Sequence, residues 1–380
     1  MKKLRYMHCH PSVCAVGEDY IICVPMRCAA LMHVEIGDKK YYNHQNGIRI
    51  SNATVQMFKV PQSELDRHKK YTIKFRRVIF RWFFFTPRLP EYSLCYDFQP
   101  IEKTENINIC HIADCHGQVK NPSLSGEFFG SDLDLLILNG DINTYSAKES
   151  QLLNTYKISS NIAKGKIPVI ISRGNHDLRG RKAQALADYF PMQNQRTYFT
   201  VRLGPLWFMI FDCGEDKLDS HFEYFGTVAC EPWRREEDAY FREVIAARPW
   251  EAEGVGFRLL LCHVPLSLRN TGTLKIYKEP PFDIENELYD SWIMLSNENI
   301  HPDMFIAGHY HNDEIIRRDS EKNDRHLDCD LVIGGYPVGK KENFVSANFT
   351  LRAEGCEVYF ADKDKNITKQ DRVIFYNKKN

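Results

Sequence analysis

The sequence predicts an α/β catalytic fold preceded by a small all-β module, and three observations carry that reading. Residues 1–104 hold short apolar runs separated by turn clusters. From about residue 105 strand-like runs alternate with helix candidates. Five of those later runs stop on a carboxylate, an imidazole or an amide at the point where the chain turns.

In the first module the runs YIICVPM, ALMHVEIG, ATVQMFKV and YTIKFRRVIF alternate with the turn clusters GEDY, GDKKYYNHQNG and PQSELDRH. That spacing is the one expected of a small sandwich of the immunoglobulin or fibronectin kind. A chain of 380 residues is long enough for two domains, which we divide at 1–104 and 105–380. The run Phe80-Arg-Trp-Phe-Phe-Phe85 is too apolar for a free loop, so it is expected to pack against the second domain, or failing that to form a homodimer contact. Pro87 to Ile101, with Pro87, Pro90 and Pro100, reads as an extended linker.

The second domain opens on Asn106–Gln118, NINICHIADCHGQ, whose apolar positions form a short buried strand that ends at Asp114 and His116. A carboxylate and an imidazole two residues apart at a strand end can share one crevice, and that donor pair suits Mn, Fe or Zn. Leu133–Asp141 delivers Asp141 in the same way, Lys166–Asp177 delivers Asn175 and His176, Phe257–His263 ends on His263, and Asp303–His311 ends on His309 and His311. Glu149 to Lys164, Arg181 to Tyr189 and Trp233 to Ala247 are helix candidates between these strands.

The set D-x-H-G at 114–117, G-D at 140–141, R-G-N-H-D at 173–177, C-H at 262–263 and G-H-x-H at 308–311 resembles the calcineurin-like metallophosphoesterases in number, order and spacing. The resemblance implies a four-layer α/β/β/α sandwich with metals at the strand ends, and a leading β-sandwich arranged as in purple acid phosphatases. It implies two divalent or mixed-valence transition-metal ions (Mn, Fe or Zn), one on Asp114, His116 and His311, the other on Asn175, His263 and His309, with Asp141 bridging. His176 is then the group that protonates the leaving oxygen, and Arg173 is placed like the phosphate-binding arginine of the protein-phosphatase branch. The implied reaction is hydrolysis of a phosphomonoester or phosphodiester by a metal-bridging hydroxide. One position departs from the pattern. Thr144, three residues past Asp141, stands where the family's branches carry an acid, a tyrosine or a histidine.

Two excursions, Asp212 to Cys230 and Pro265 to Ile300 (the second with Arg269, Lys275 and Lys278), lie between ligand-bearing strands and are where substrate selectivity would be built. The tail from Leu331 to Phe375 returns to strand-like runs expected to complete the second sheet. Cys115 and Cys262 lie beside ligands, and strand alternation turns Cys262 away from the His263 crevice.

Composition narrows the function. With 50 basic and 50 acidic residues the net charge is zero, which argues against a nucleic-acid partner and so against the alternative of a metal-dependent nuclease. No apolar stretch is long enough for a membrane span, and no signal-peptide apolar core follows Met1. The expectations are therefore a cytoplasmic protein acting on a small-molecule phosphoester, with no membrane partner and its twelve cysteines as thiols. A non-catalytic binding scaffold is the rival reading, and a complete ligand set tells against it.

Overall fold

The computed structural model describes residues 4–83, 85–268, 286–337 and 343–376. Two large sheets face one another. The first has ten strands, running in spatial order Ile367–Ile374, Gly355–Ala361, Phe344–Arg352, Ile107–Ile112, Leu135–Asn139, Pro168–Ser172, Ser12–Val16, Asp19–Pro25 and Val55–Pro61, with Tyr336–Pro337 paired to Phe344–Arg352. The second has six, in the order Phe199–Leu203, Leu206–Ile210, Phe257–Leu261, Met304–Ala307, Asp330–Ile333 and Glu314–Ile316.

The four layers follow from side-chain alternation along buried strands. Leu135 and Ile137 point into the core between the sheets, where they join Ile107, Ile109, Leu259, Met304 and Ile306. Leu136 and Leu138 point the other way, into a cluster with Tyr156, Ile158 and Ile162 of the Asn154–Ile162 helix. On the far side, Trp207, Met209 and Leu260 pack on Phe241 and Val244 of the Cys230–Ala247 helix and on Trp292 and Ile293 of the Asn286–Leu295 helix. The order is helix, sheet, sheet, helix.

The N-terminal region is mostly β, as expected, but the cluster PQSELDRH, read as a turn, forms the short helix Gln62–His68, and the sheets are shared out. Ala30–Ile36, Lys39–Tyr42, Lys70–Arg77 and Tyr92–Asp97 make a separate four-stranded antiparallel sheet. Ser12–Val16 instead pairs in parallel with Pro168–Ser172, so the first strands extend the catalytic sheet. Met32, Val34, Ile73 and Phe75 lie in the same core as the two large sheets. Removing residues 1–104 would therefore turn Pro168–Ser172 into an open edge and expose that core. Residues 105–380 expressed alone should be insoluble or melt far below the full chain in a thermal scan; a soluble fragment with an unchanged midpoint would contradict this account.

Three local expectations are corrected. The stretch read as an extended linker contains the strand Tyr92–Asp97, whose Leu94 and Tyr96 are buried while Ser93 and Cys95 are exposed; its prolines lie outside the strand. Phe84 lies outside the described residues, and the rest of the Phe80–Phe85 run does not pack on the catalytic layers, because Phe80, Trp82, Phe83 and Phe85 are exposed. In the tail, Asp330–Ile333 joins the second sheet, whereas Phe344–Arg352, Gly355–Ala361 and Ile367–Ile374 extend the first as successive antiparallel hairpin strands. The helix candidate at 149–164 forms as Glu149–Leu152 and Asn154–Ile162, and the one at 181–189 as a short 3₁₀ segment, Ala183–Asp188. Of the excursion from Pro265 to Ile300, Arg269, Lys275 and Lys278 lie outside the described residues.

Candidate metal centre

The strand ends that carry the motifs converge at one edge of the two sheets, and backbone bonds lock them together. Asp114 N–H donates to Gly140 O at 3.2 Å, His116 N–H to Asp141 O at 3.0 Å, and Gly308 N–H to His263 O at 2.9 Å. Five of the seven expected ligands adopt left-handed backbone: Asp114 at φ 54°, His116 at 46°, Asp141 at 51°, His309 at 69° and His311 at 53°. Non-glycine residues in that region cost of order 1–3 kcal/mol each and persist where the surroundings over-determine them. The approach is close as well. A Cβ on Gly174 would lie 2.3 Å from Asp141 Oδ1, so only glycine lets the third motif pass beneath the second.

Each carboxylate spends one oxygen on the scaffold and keeps the other for the crevice. His309 N–H donates to Asp114 Oδ2 at 2.8 Å, and His176 N–H to Asp141 Oδ1 at 2.8 Å. Asp114 Oδ1 then lies 3.2 Å from His311 Nε2 and 3.8 Å from His116 Nε2, while the two imidazole nitrogens are 2.8 Å apart. Asp141 Oδ2 lies 3.2 Å from His263 Nε2 and 3.9 Å from His176 Nε2.

The donor set fits cations. Asp114 Oδ1 and His263 Nε2 are buried without a well-directed hydrogen bond, each meeting only an imidazole or carboxylate neighbour at 3.2 Å, and a cation would satisfy both. Asn175 Oδ1 faces His309 Nδ1 and Asp141 Oδ2, both at 3.2 Å, three lone-pair-bearing atoms around one space. A cation there would favour this amide orientation, whereas without one the reversed amide would accept from Arg179 Nη2 at 3.1 Å and donate to Asp141 and His309. Three groups gather ligand atoms within 4.8 Å of one another: Asp114 with His116 and His311, Asp141 with His263 and His309, and His116 with Asp141 and His176.

Surrounding groups orient the imidazoles, as metal-ligating histidines require. His263 Nδ1 donates to Asn139 O at 2.7 Å, which leaves Nε2 for the crevice. His176 Nδ1 donates to Thr144 O at 2.8 Å. The position that departs from the family pattern thus holds His176 through its backbone carbonyl, which any residue type supplies. His309 turns Nε2 towards Asp216 Oδ2 at 3.8 Å.

Two residues of this environment were not among the sequence candidates. Arg179 sits with Nη1 3.2 Å from His176 Nε2 and is gripped by Glu215 through two bonds of 2.8 Å. Asp216 belongs to the excursion after Phe211, and nothing in its local sequence ties it to His309. Arg173, by contrast, pairs through Nε with Asp212 Oδ2 at 2.7 Å and lays its guanidinium over the Trp233 ring at 4.7 Å. Its charge is committed to that pair, and it is Arg179 that reaches the histidine cluster. Cys262 faces away from the crevice as expected, with Sγ 3.3 Å from Cys213 Sγ.

Without a metal the charges balance internally. Burial alone would lower the His263 pKa, but the Asp141 and Asp114 carboxylates outweigh it and hold the imidazole at about 10. Burial likewise works against ionised Asp141, yet His263 keeps its carboxyl well below the usual carboxylate range. Burial pushes His116 and His309 down to about 4, so they are ready as neutral ligands. A proton on His263 must leave before the nitrogen can ligate, so metal uptake at neutral pH should release at least one proton per chain and tighten as pH rises. Calorimetric titration with Zn²⁺ in buffers of different ionisation enthalpy reads that number; heats independent of buffer would contradict it.

A model of the calcineurin-like phosphoesterase family matches residues 107–335. No curated protein matches the chain. Among solved structures, the purple acid phosphatase PPD1 from yellow lupin (Lupinus luteus) seeds is similar at 11% identity and a TM-score of 0.59, covering 97% of this chain and 75% of its own. PhoD is similar at 10% identity and a TM-score of 0.54, with 96% and 88% covered. At such identities the likeness concerns the fold.

Proposed function

Because the chain belongs to the calcineurin-like phosphoesterase family, whose members are metal-dependent phosphoester hydrolases, we propose that it cleaves a small-molecule phosphomonoester or phosphodiester at a dinuclear centre. One metal is assigned to Asp114, His116 and His311 and the other to Asn175, His263 and His309, with Asp141 shared. The observation that carries this reading is the placement of Asp141 Oδ2. Its partner oxygen is taken by His176 N–H, so the shared contact would fall on this oxygen, 3.2 Å from His263 Nε2, and Asp141 groups with His116 on one side and with His263 and His309 on the other. When bound, the cations supply a lowered pKa for the attacking water and neutralisation of the phosphoryl oxygens.

The chain's own residues supply the rest. His176, fixed by Thr144 O and partly open to solvent, is assigned to proton delivery at the leaving oxygen. Arg179 is better placed than Arg173 to meet the phosphoryl group, because a guanidinium held by Glu215 beside His176 can offer its remaining N–H donors there. The twelve free thiols are in keeping with action in the cytoplasm. Protein loaded with Mn²⁺, Fe²⁺ or Zn²⁺ should hydrolyse members of a panel of phosphomonoesters and phosphodiesters. Activity confined to oligonucleotides would turn the reading to a nuclease, and metal binding without any hydrolysis would turn it to a scaffold.

A further inference from the structure

Residues 77–83 and 85–89 leave the four-stranded sheet as the two arms of a finger, bridged at Val78–Arg88 and Trp82–Phe85. Ile79 N–H bonds Pro87 O at 3.0 Å, Leu89 N–H bonds Arg77 O at 2.9 Å, and Trp82 and Phe85 close the tip through reciprocal backbone bonds of 3.1 and 2.9 Å. The tip is aromatic and open: Trp82 is 61% exposed, Phe83 82% and Phe85 64%. Contiguous exposed apolar surface of this kind marks an interaction site, and an isolated hairpin has little packing of its own to justify it.

Along the sequence this stretch carries charge of one sign, in a chain whose net charge is zero. From Lys70 to Pro90 there are six cations, Lys70, Lys74, Arg76, Arg77, Arg81 and Arg88, and no Asp or Glu. Lys74 and Arg76 are paired, with Glu35 at 2.8 Å and Glu91 at 3.3 Å. Among the described residues no carboxylate pairs with Arg77, Arg81 or Arg88. Arg81 Nη1 donates to the Arg49 carbonyl at 2.9 Å, which brings a further arginine to the group, and Arg88 adds its repulsion to the burial that already lowers the Arg49 pKa.

We propose that this finger docks on an anionic lipid surface, with Trp82, Phe83 and Phe85 in the headgroup and acyl boundary and Arg77, Arg81 and Arg88 on lipid phosphates. Tryptophan and phenylalanine beside arginines are the composition that settles at that boundary. A second copy of the chain is a poorer occupant, because an isologous contact would set the same arginines against themselves. A single-stranded nucleic acid is poorer too, since stacking successive bases calls for aromatic groups spread along the strand's path, and these are gathered at one turn, where Trp82 and Phe85 are bridged. No helix among the described residues is long and apolar enough to cross a membrane, and surface docking needs none.

Vesicle flotation of the full-length protein tests this. It should float with phosphatidylcholine vesicles that contain phosphatidylserine, float poorly with phosphatidylcholine alone, and detach as salt rises. Arg81→Gln and Arg88→Gln should each lower partitioning about fivefold. The double variant Trp82→Ser, Phe83→Ser should lower it at least about tenfold while turnover of a soluble phosphoester stays unchanged. Failure to bind anionic vesicles at low salt, or equal binding by the variants, would overturn the proposal. So would a concentration-dependent dimer, or binding of a single-stranded oligonucleotide, that disappears in the double variant while vesicles are ignored.

Discussion

Asp141→Ala should lose both metals and at least about 10³-fold in turnover, the largest effect of any single substitution in this centre. Removing one well-placed electrostatic group from a dry site already costs about 10²–10³-fold, and Asp141 is the carboxylate assigned to both positions. Its Oδ2 is 3.2 Å from His263 Nε2 and its Oδ1 accepts the His176 N–H at 2.8 Å, so the alanine variant also leaves a buried imidazole without its nearer carboxylate. Metal analysis by mass spectrometry and the melting temperature should be read on the same preparation. A folded variant that keeps one equivalent of metal would show that Asp141 serves a single site, and one that keeps two with full activity would remove it from the centre.

His176→Ala should separate substrates by leaving group. A general acid matters most where the departing oxygen is a poor leaving group, and the gain is typically about 10²–10⁴-fold. The variant should retain its metals and lose that factor on an alkyl phosphate, while a nitrophenyl phosphate is affected far less. The geometry also offers a competing role, because His116, Asp141 and His176 bring ligand atoms within 4.8 Å of one another. If His176 is a ligand, the variant loses metal and both substrates suffer alike. Thr144→Ala gives a control, since the bond to His176 comes from its backbone carbonyl and should survive the substitution.

The candidate ligands could be picked out because each follows a β-rich run, and a polar residue ending such a run has few other reasons to recur. Asp114, His116, Asp141, Asn175, His263, His309 and His311 could be named as candidates from that pattern and the family resemblance together. Their left-handed backbone could not, because nothing in a local sequence marks a non-glycine residue for a conformation that long-range packing imposes. Arg179 and Asp216 were missed for a related reason. Asp216 meets His309 across 93 residues of chain, and Arg179 is chosen over Arg173 by Glu215 and Asp212, whose pairings only the fold decides. The sharing of the N-terminal strands was hidden in another way. Ser12–Val16 and Pro168–Ser172 are buried along their whole lengths, and strands apolar on both faces carry no pattern that names a neighbour. The Phe80–Phe85 run misled because a long apolar run ordinarily means burial, whereas Phe80, Trp82, Phe83 and Phe85 of this one are exposed about a turn.

The most direct test of the dinuclear centre is anomalous scattering from crystals of the protein grown with Mn²⁺ or Zn²⁺. We expect two peaks, one against Asp114, His116 and His311 and the other against Asn175, His263 and His309, with Asp141 touching both. A single peak, or two peaks of which Asp141 touches only one, would contradict the account.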